Sequence, residues 1–270
     1  MALARLLAVV LLLAGCGEVG PQPQSRDAAA MRIASLSPAL TSTLVHMGWK
    51  DRVVGRTPWC AGVDQVPVVG SLLEVDLERL SAVKPDLIVV QATAAGVPGV
   101  LVQAAAQHGW RVVQVPCTSL AQVRSLETAL AEAARAPAPA TDTSARWAKV
   151  LQPLDAAPRQ SPCVLLFASD PPQAFGSDAY LAEVWKAWGG TAVPSQAGHP
   201  SMRMEDLFAL QPRTVTLIGP EASASCAVMT VACADRGVQF VVVNQAGLLR
   251  PGPEALDAIE RWREQMERAP

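Results

Sequence analysis

The chain has little of what enzymes, nucleic-acid binders and membrane spans are built from. Its 270 residues include 3 His and 1 Tyr, aromatics make up 4%, and the net charge is −2. No G-x-S-x-G, H-E-x-x-H, P-loop or G-x-G-x-x-G occurs, so no nucleophile elbow, zinc-protease helix, phosphate cradle or dinucleotide turn is present. A pI near 5.9 without a basic cluster argues against a nucleic-acid partner. No apolar run reaches the roughly 18 residues of a membrane-spanning helix. No C-x-x-C occurs, which removes the usual zinc and thioredoxin-like readings. What remains is a half-hydrophobic chain with 17% charged residues, long enough for one large or two modest folded domains.

The N-terminus points outward from the cytoplasm. Arg5 precedes the apolar run Leu6 to Ala14, and Leu13-Ala14-Gly15-Cys16 follows. A cationic start, a short apolar core and a small-residue cleavage site read as a secretory signal over residues 1–15. Ending in Cys, the site resembles the bacterial lipobox, which implies that Cys16 becomes the lipid-bearing first residue. The alternative is an ordinary secretory signal with an incidental Cys. Residues 16–30 are polar, contain Pro and suit a tether. The expected location is the extracytoplasmic face, anchored to the membrane by lipid.

Five further cysteines, Cys60, Cys117, Cys163, Cys226 and Cys233, are an odd number, so at least one is unpaired or paired between chains. Cys226 and Cys233 fall seven residues apart on a predicted helix. That is a rise of about 10 Å, beyond disulfide reach.

An internal repeat organises the rest. Asp76 to Val90 reads as helix, Pro stop and buried strand, and Arg203 to Leu217 repeats it 127 residues later, with Glu78 matching Glu205 and Pro85 matching Pro212. Upstream, Arg32 to Pro38 parallels Val164 to Pro171: each is an apolar strand followed by a predicted N-cap (Ser37, Asp170) and a Pro at the first helical position. Downstream, Gly109 to Val115 parallels Gly237 to Val243, each a helix-ending Gly followed by a strand. The chain is therefore expected to be α/β. It comprises an N-terminal lobe (31–136), a single linker helix (137–161) and a similar C-terminal lobe (162–270), each lobe a mostly parallel sheet flanked by helices. Thr141 or Asp142 is the expected cap of the linker, and Pro153 its expected kink. Ligands of such sheets bind beyond the carboxyl ends of strands, which makes the interlobe cleft the expected site.

Ile33 to Pro38, Val54-Gly55, Val69-Gly70, Leu77 to Leu80, Lys84 to Leu87 and Leu249 to Pro253 together resemble the iron-chelate and vitamin B12 class of periplasmic binding proteins, over about residues 31 to 265. The resemblance implies two lobes joined by one long helix. It also implies a substrate-binding lipoprotein, monomeric and not an enzyme, that delivers a cobalt or iron chelate (cobalamin, haem or ferric siderophore) to the permease of an ABC importer. The chelate is cargo, and no resident cofactor is implied.

In that family a Glu on each lobe docks to permease arginines, and the matching residues are Glu78 and Glu205, the pair the repeat also selects. The alternative is that both carboxylates merely favour their own helix N-termini. Trp59, in Thr57-Pro-Trp-Cys60, falls where B12-binding members carry a wall aromatic. His199 and Phe175 are further wall candidates, and Ser37 is a fourth ligand-site residue. His199 could reach a metal through neutral imidazole, although a polar contact is the commoner role of a lone His. Leu72 and Ala92-Thr93 stand where those members place aromatics, so part of that lining is absent. Cys60 and Cys117 both follow N-lobe strands and could form a disulfide, act as soft ligands or simply pack; of these the disulfide is preferred. Trp147, Trp185, Trp188 and Trp262 are expected core or interface anchors. His46 and His108 are read as incidental helix residues. A same-fold lipoprotein that senses or scaffolds is the alternative function. An enzyme pairing His199 with Cys60 or Ser37 across the cleft is a minor one.

Overall fold

The computed structural model describes residues 31–138, 143–219 and 224–268. The signal sequence, Cys16, the tether and the candidate caps Thr141 and Asp142 lie outside the described residues. Among those described, no helix is long and apolar enough to cross a membrane.

In the N-terminal lobe, β1 (Ile33–Ser35), β2 (Val53–Gly55), β3 (Leu87–Gln91) and β4 (Arg111–Val115) form a parallel sheet in the order β2-β1-β3-β4. The central strand β3 is buried from Leu87 to Val90, as a strand covered on both faces must be. Helices α1 (Pro38–His46), α2 (Leu77–Ala82) and α3 (Gly99–His108) make the crossovers, and α4 (Leu120–Arg124) and α5 (Leu126–Ala133) close the lobe. Ser37 caps α1, its hydroxyl accepting from the Leu40 amide at 3.4 Å, with Pro38 at the first helical position as expected.

The C-terminal lobe repeats this plan. Its strands are β5 (Cys163–Ser169), β6 (Pro172–Ala174), β7 (Ala192–Val193), β8 (Thr214–Ile218) and β9 (Gln239–Val243), and its helices α8 (Tyr180–Ala187), α9 (Met204–Ala209), α10 (Ala224–Ala234) and α11 (Pro253–Arg268). The strand β5 pairs in parallel with β7 on one side and β8 on the other, and β8 pairs with β9. The parallel order β7-β5-β8-β9 is thus the order β2-β1-β3-β4 over again. Offsets agree as well: α2 to α9 and β3 to β8 are 127 residues apart, and β4 to β9 is 128. Even Lys84 and Gln211, the residues before the paired prolines, share a left-handed backbone, with φ of 46° and 50°.

Two local readings are corrected. Asp170 and Pro171 do not open a helix. They form the turn of a hairpin in which β6 returns antiparallel to β5, pairing Leu166 with Ala174 and Ser169 with Pro172. The next helix waits until Tyr180. The connector is helical but in two pieces, α6 (Thr143–Val150) and α7 (Ala156–Arg159), separated around Pro153, where a helix loses an amide donor. Arg146 holds α6 to α11 through Asp257 (2.5 Å) and Glu260 (2.6 Å), and Arg263 of α11 donates to the last carbonyls of α6 and beyond, at Val150, Gln152 and Pro153.

The largest apolar cluster runs from Leu40 and Leu44 of α1 through Trp147 of α6 to Trp185, Trp188 and Trp262, so both lobes and the connector share one core. All four of these tryptophans are buried, as expected. The lobes are also stitched directly. The Tyr180 amide donates to the Thr118 carbonyl at 2.8 Å, and the Glu183 carboxylate accepts from the Leu120 amide at 2.5 Å.

Candidate functional site

Loops at the carboxyl ends of the strands in both sheets converge on an interlobe cavity of about 500 Å³, a size typical of small-molecule sites. The N-lobe contributes a flat, small-residue wall: Pro38 and Ala39 from the start of α1, and Gln91 from the end of β3. The floor is built from Cys117 and Thr118 after β4, Ala179 and Tyr180 at the start of α8, and Leu249 to Pro251 after β9. The C-lobe wall is aromatic, with Phe167 on β5, Phe175 just after β6, and His199. The three rings meet edge to face, with centroids 5.2 Å (Phe167–Phe175), 5.5 Å (Phe167–His199) and 5.9 Å (Phe175–His199) apart, the arrangement that ring quadrupoles favour.

The His199 loop is held by backbone contacts to the β6 segment. The Ala174 amide donates to Pro200 (2.9 Å), Gly176 to Gly198 (2.8 Å) and Ser177 to Gln196 (2.8 Å), while Asp178 accepts from the Gly198 amide at 2.6 Å. Gly176 makes this approach feasible, because a Cβ there would stand 2.4 Å from the Gln196 carbonyl oxygen. The imidazole, itself exposed, is thus carried on a fixed loop.

Burial acts on the thiol and the phenol of the floor. It pushes the Cys117 thiol up to about 12. It also pushes the Tyr180 phenol above its ordinary range, with the neighbouring Cys117 adding to the effect; the phenol donates to the Leu248 carbonyl. Among the cavity-lining residues the only fixed charge is Arg250, whose Nε lies 3.0 Å from Glu254 in the first turn of α11. Among the described residues, no three His, Cys, Asp or Glu side chains are grouped to hold a metal ion.

Of the residues singled out from sequence, His199 and Phe175 stand together on one wall of the cavity. Ser37 does not line it: the side chain is 2% exposed, and its hydroxyl, besides capping α1, donates to Gln91 at 3.3 Å. Trp59 does not line it either. It occupies a turn beyond β2 and is 67% exposed. That turn is anchored by Arg56, which donates to the carbonyls of Thr57, Asp64 and Val66. Glu78 and Glu205 occupy the second position of α2 and α9 respectively, both exposed and equivalent under the repeat.

The expected Cys60–Cys117 disulfide is absent, and both thiols are free. Cys60 follows β2 and Cys117 follows β4, the opposite edges of the sheet, three strand spacings or about 14 Å apart, against a Cα limit of about 7 Å for a bridge. Cys60 instead sits between the hydroxyls of Thr41 (3.0 Å) and Thr57 (3.1 Å). Buried in this way, neither the Cys60 thiol nor the Ser37 hydroxyl is presented to His199 as a nucleophile. His46 lies 3.4 Å from Glu127, and His108 stacks on Trp110 at 4.5 Å.

Sequence reasoning missed Phe167, Gln91, Tyr180 and Arg250. Gln91 is the last residue of β3, a position that strand ends signal; Phe167 lies within β5, Tyr180 opens α8 and Arg250 comes seven residues after β9.

Comparison with known proteins agrees with this geometry. Among curated proteins none matches. Among solved structures, the periplasmic vitamin B12-binding protein BtuF of Vibrio cholerae is 20% identical with a TM-score of 0.66, over 89% of this chain and 99% of that one. The haem-binding protein HutB of Vibrio cholerae is 16% identical with a TM-score of 0.68, over 88% and 99%. A periplasmic haem-binding protein from Pseudomonas aeruginosa is 19% identical with a TM-score of 0.67, over 88% and 92%. These likenesses establish the fold. A family model described as periplasmic binding protein matches residues 33–193. With two lobes of one plan, a cavity between them and a family match over more than half its length, the chain belongs to the periplasmic binding proteins.

Proposed function

We propose that this protein is the substrate-binding lipoprotein of an ABC importer, exported and held at the membrane through lipid on Cys16. It takes a cobalt or iron chelate into the interlobe cleft and presents it to the permease through Glu78 and Glu205. The observation that carries the reading is the cleft itself: strand-end loops from two similar lobes enclose about 500 Å³ with an aromatic wall on one side. Flat conjugated chelates suit such a wall, since ring faces and edges add to simple area burial. The similar structures are described as a vitamin B12-binding protein and a haem-binding protein. Phe175 and His199 bear on the ligand directly, and Trp59, projecting from the N-lobe, contacts the part of a large chelate that extends past the cavity.

The test is an absorbance spectrum of residues 17–270 after incubation with cobalamin, haem or a ferric siderophore and desalting. One equivalent of one chelate is expected to stay with the protein. Retention of none of the three would overturn the reading.

A further inference from the structure

The sequence contains no basic run, yet the fold gathers one sign of charge at one end of the N-terminal lobe. The four strands of its parallel sheet all start at that end, and each start carries a cation: Arg32 before β1, Lys50 and Arg52 before β2, Lys84 before β3, and Arg111 opening β4. Asp51 and Asp86 are the carboxylates among these residues, and that of Asp86 accepts from the Arg32 amide at 3.0 Å. Glu132 and Arg135, at the end of α5, offset one another. The guanidinium groups are held by neutral partners. Arg32 donates to the carbonyls of Val83 (2.8 Å) and Lys84 (3.1 Å), Arg111 to that of Ala133 (2.9 Å), and Arg52 lies 4.2 Å over the Trp49 ring. Such contacts fix the groups and leave their charge in place. Lys50 and Lys84 are exposed. Between the starts of β3 and β4 lies a polar recess of about 320 Å³, lined by Ser81, Lys84 and Asp86 and by His108 stacked on Trp110. At the other end of the strands the sign reverses: the segment from Arg56 to Arg79, leaving β2 and entering α2, holds four carboxylates (Asp64, Glu74, Asp76, Glu78) against two cations.

A second observation says what this end meets. Met31 and Arg32 lead directly into β1, so residues 17–30 join the fold here, and fully extended they span at most about 50 Å. A lipid on Cys16 keeps this end of the lobe within reach of the headgroup layer, at an effective concentration that lets a weak surface suffice. A bilayer of negative surface potential attracts the strand-start end and repels the opposite one.

We propose that the strand-start end of the N-terminal lobe is a resting surface for the headgroups of anionic glycerophospholipids, with Lys50 and Lys84 supplying exposed charge and the recess beside His108 seating a headgroup. Resting on this end, the lobe keeps the carboxyl ends of its strands, and with them the cleft, turned away from the bilayer. The proposal rests on the reading of an exported protein with lipid on Cys16. Cations beyond the C-terminal ends of α1, α2 and α3 also suit the helix dipoles, a role that gives no affinity for vesicles.

The experiment uses residues 17–270 without lipid, which contain the whole described fold. The probes are vesicles of phosphatidylcholine alone, or of phosphatidylcholine and phosphatidylglycerol in equal parts, read by co-sedimentation. Although the chain carries a net charge of −2, it is expected to bind the mixed vesicles in low salt and not the neutral ones. Salt at about 0.5 M should release it, because screening then acts within a few ångströms. Lys50→Gln with Lys84→Gln should lower partitioning about ten- to thirtyfold, the scale of two cations held near an anionic surface. Lys149→Gln with Arg213→Gln removes the same charge from the connector and the C-terminal lobe and should change it by less than about twofold; thermal melts confirm that both variants are folded. No preference for the mixed vesicles, or equal losses in the two double variants, overturns the proposal. Displacement from the vesicles by inorganic phosphate, beyond that by chloride at the same ionic strength, would show a free-anion site and overturn the lipid assignment. The intact mass of the chain extracted from membranes tests lipid on Cys16 separately, so failure of the anchor and failure of the surface are told apart.

Discussion

Cys117 and Cys163 are each less than 2% exposed, and burial alone pushes both thiols from 9.0 up to about 12. A raised pKa means that the folded chain holds protons which the unfolded chain releases. The stabilisation is therefore complete below pH 9 and declines as pH rises towards 12, by roughly 1 kcal/mol per pH unit for each thiol. The melting temperature is expected to fall more steeply between pH 9 and 11 in the wild type than in a Cys117→Ala, Cys163→Ala double variant, whose absolute stability is lower because of the cavities left behind. Parallel slopes in the two proteins would show that these thiols do not titrate as their burial dictates.

Among the elements, the hairpin of β5 and β6 distinguishes the C-lobe from the N-lobe, and it carries two of the three aromatic wall residues with the third docked against it. Gly176 is its tightest point. A methyl group there meets the Gln196 and Gly198 carbonyl oxygens at 2.4 and 2.6 Å. Gly176→Ala should therefore displace the His199 loop, cost about 1–3 kcal/mol and lower the melting temperature by several degrees. A calorimetric melt with a parallel ligand titration checks this, and an unchanged affinity would mean that the loop does not present His199 to ligand. The hairpin also marks where sequence reading stopped. The repeated helix, Pro stop and strand were legible because a doubly covered strand such as Leu87 to Val90 is an unbroken apolar run, and because prolines end helices in the same place twice. Ser37-Pro38 and Asp170-Pro171 look alike locally, yet one opens a helix and the other turns a hairpin. The difference lies in which segment the following residues pair with, a long-range matter. The cavity was partly legible: His199 and Phe175 stood out as isolated ring residues in loops, whereas Gln91, at the end of β3, carries no pattern and gains meaning only from the loops that the fold brings together. Pairing Cys60 with Cys117 failed for a related reason, since both follow strands but the sheet order puts those strands at opposite edges.

At the scale of the whole molecule, the repetition of α2 in α9 at an offset of 127 residues puts two exposed carboxylates, Glu78 and Glu205, at equivalent positions of the two lobes. Complementary charge governs encounter and register more than ligand affinity. Glu78→Lys with Glu205→Lys is expected to leave chelate affinity within about twofold and to lower uptake by tenfold or more. Uptake equal to wild type in cells carrying the double variant would remove both residues from docking. The lobes themselves are joined by a connector clasped to α11 through Arg146 and Arg263, and by the Glu183–Leu120 contact across the floor.

The distribution of tryptophan has an optical consequence. Trp185, Trp188 and Trp262 cluster with ring centroids 4.9 to 6.2 Å apart in the shared core, Trp147 is buried alongside the same core, and Trp59 stands 67% exposed. The chain thus holds a blue-emitting ensemble deep inside and a red-emitting indole at its surface: one spectrum in which the interior reports whether the protein is folded and the surface reports what approaches it.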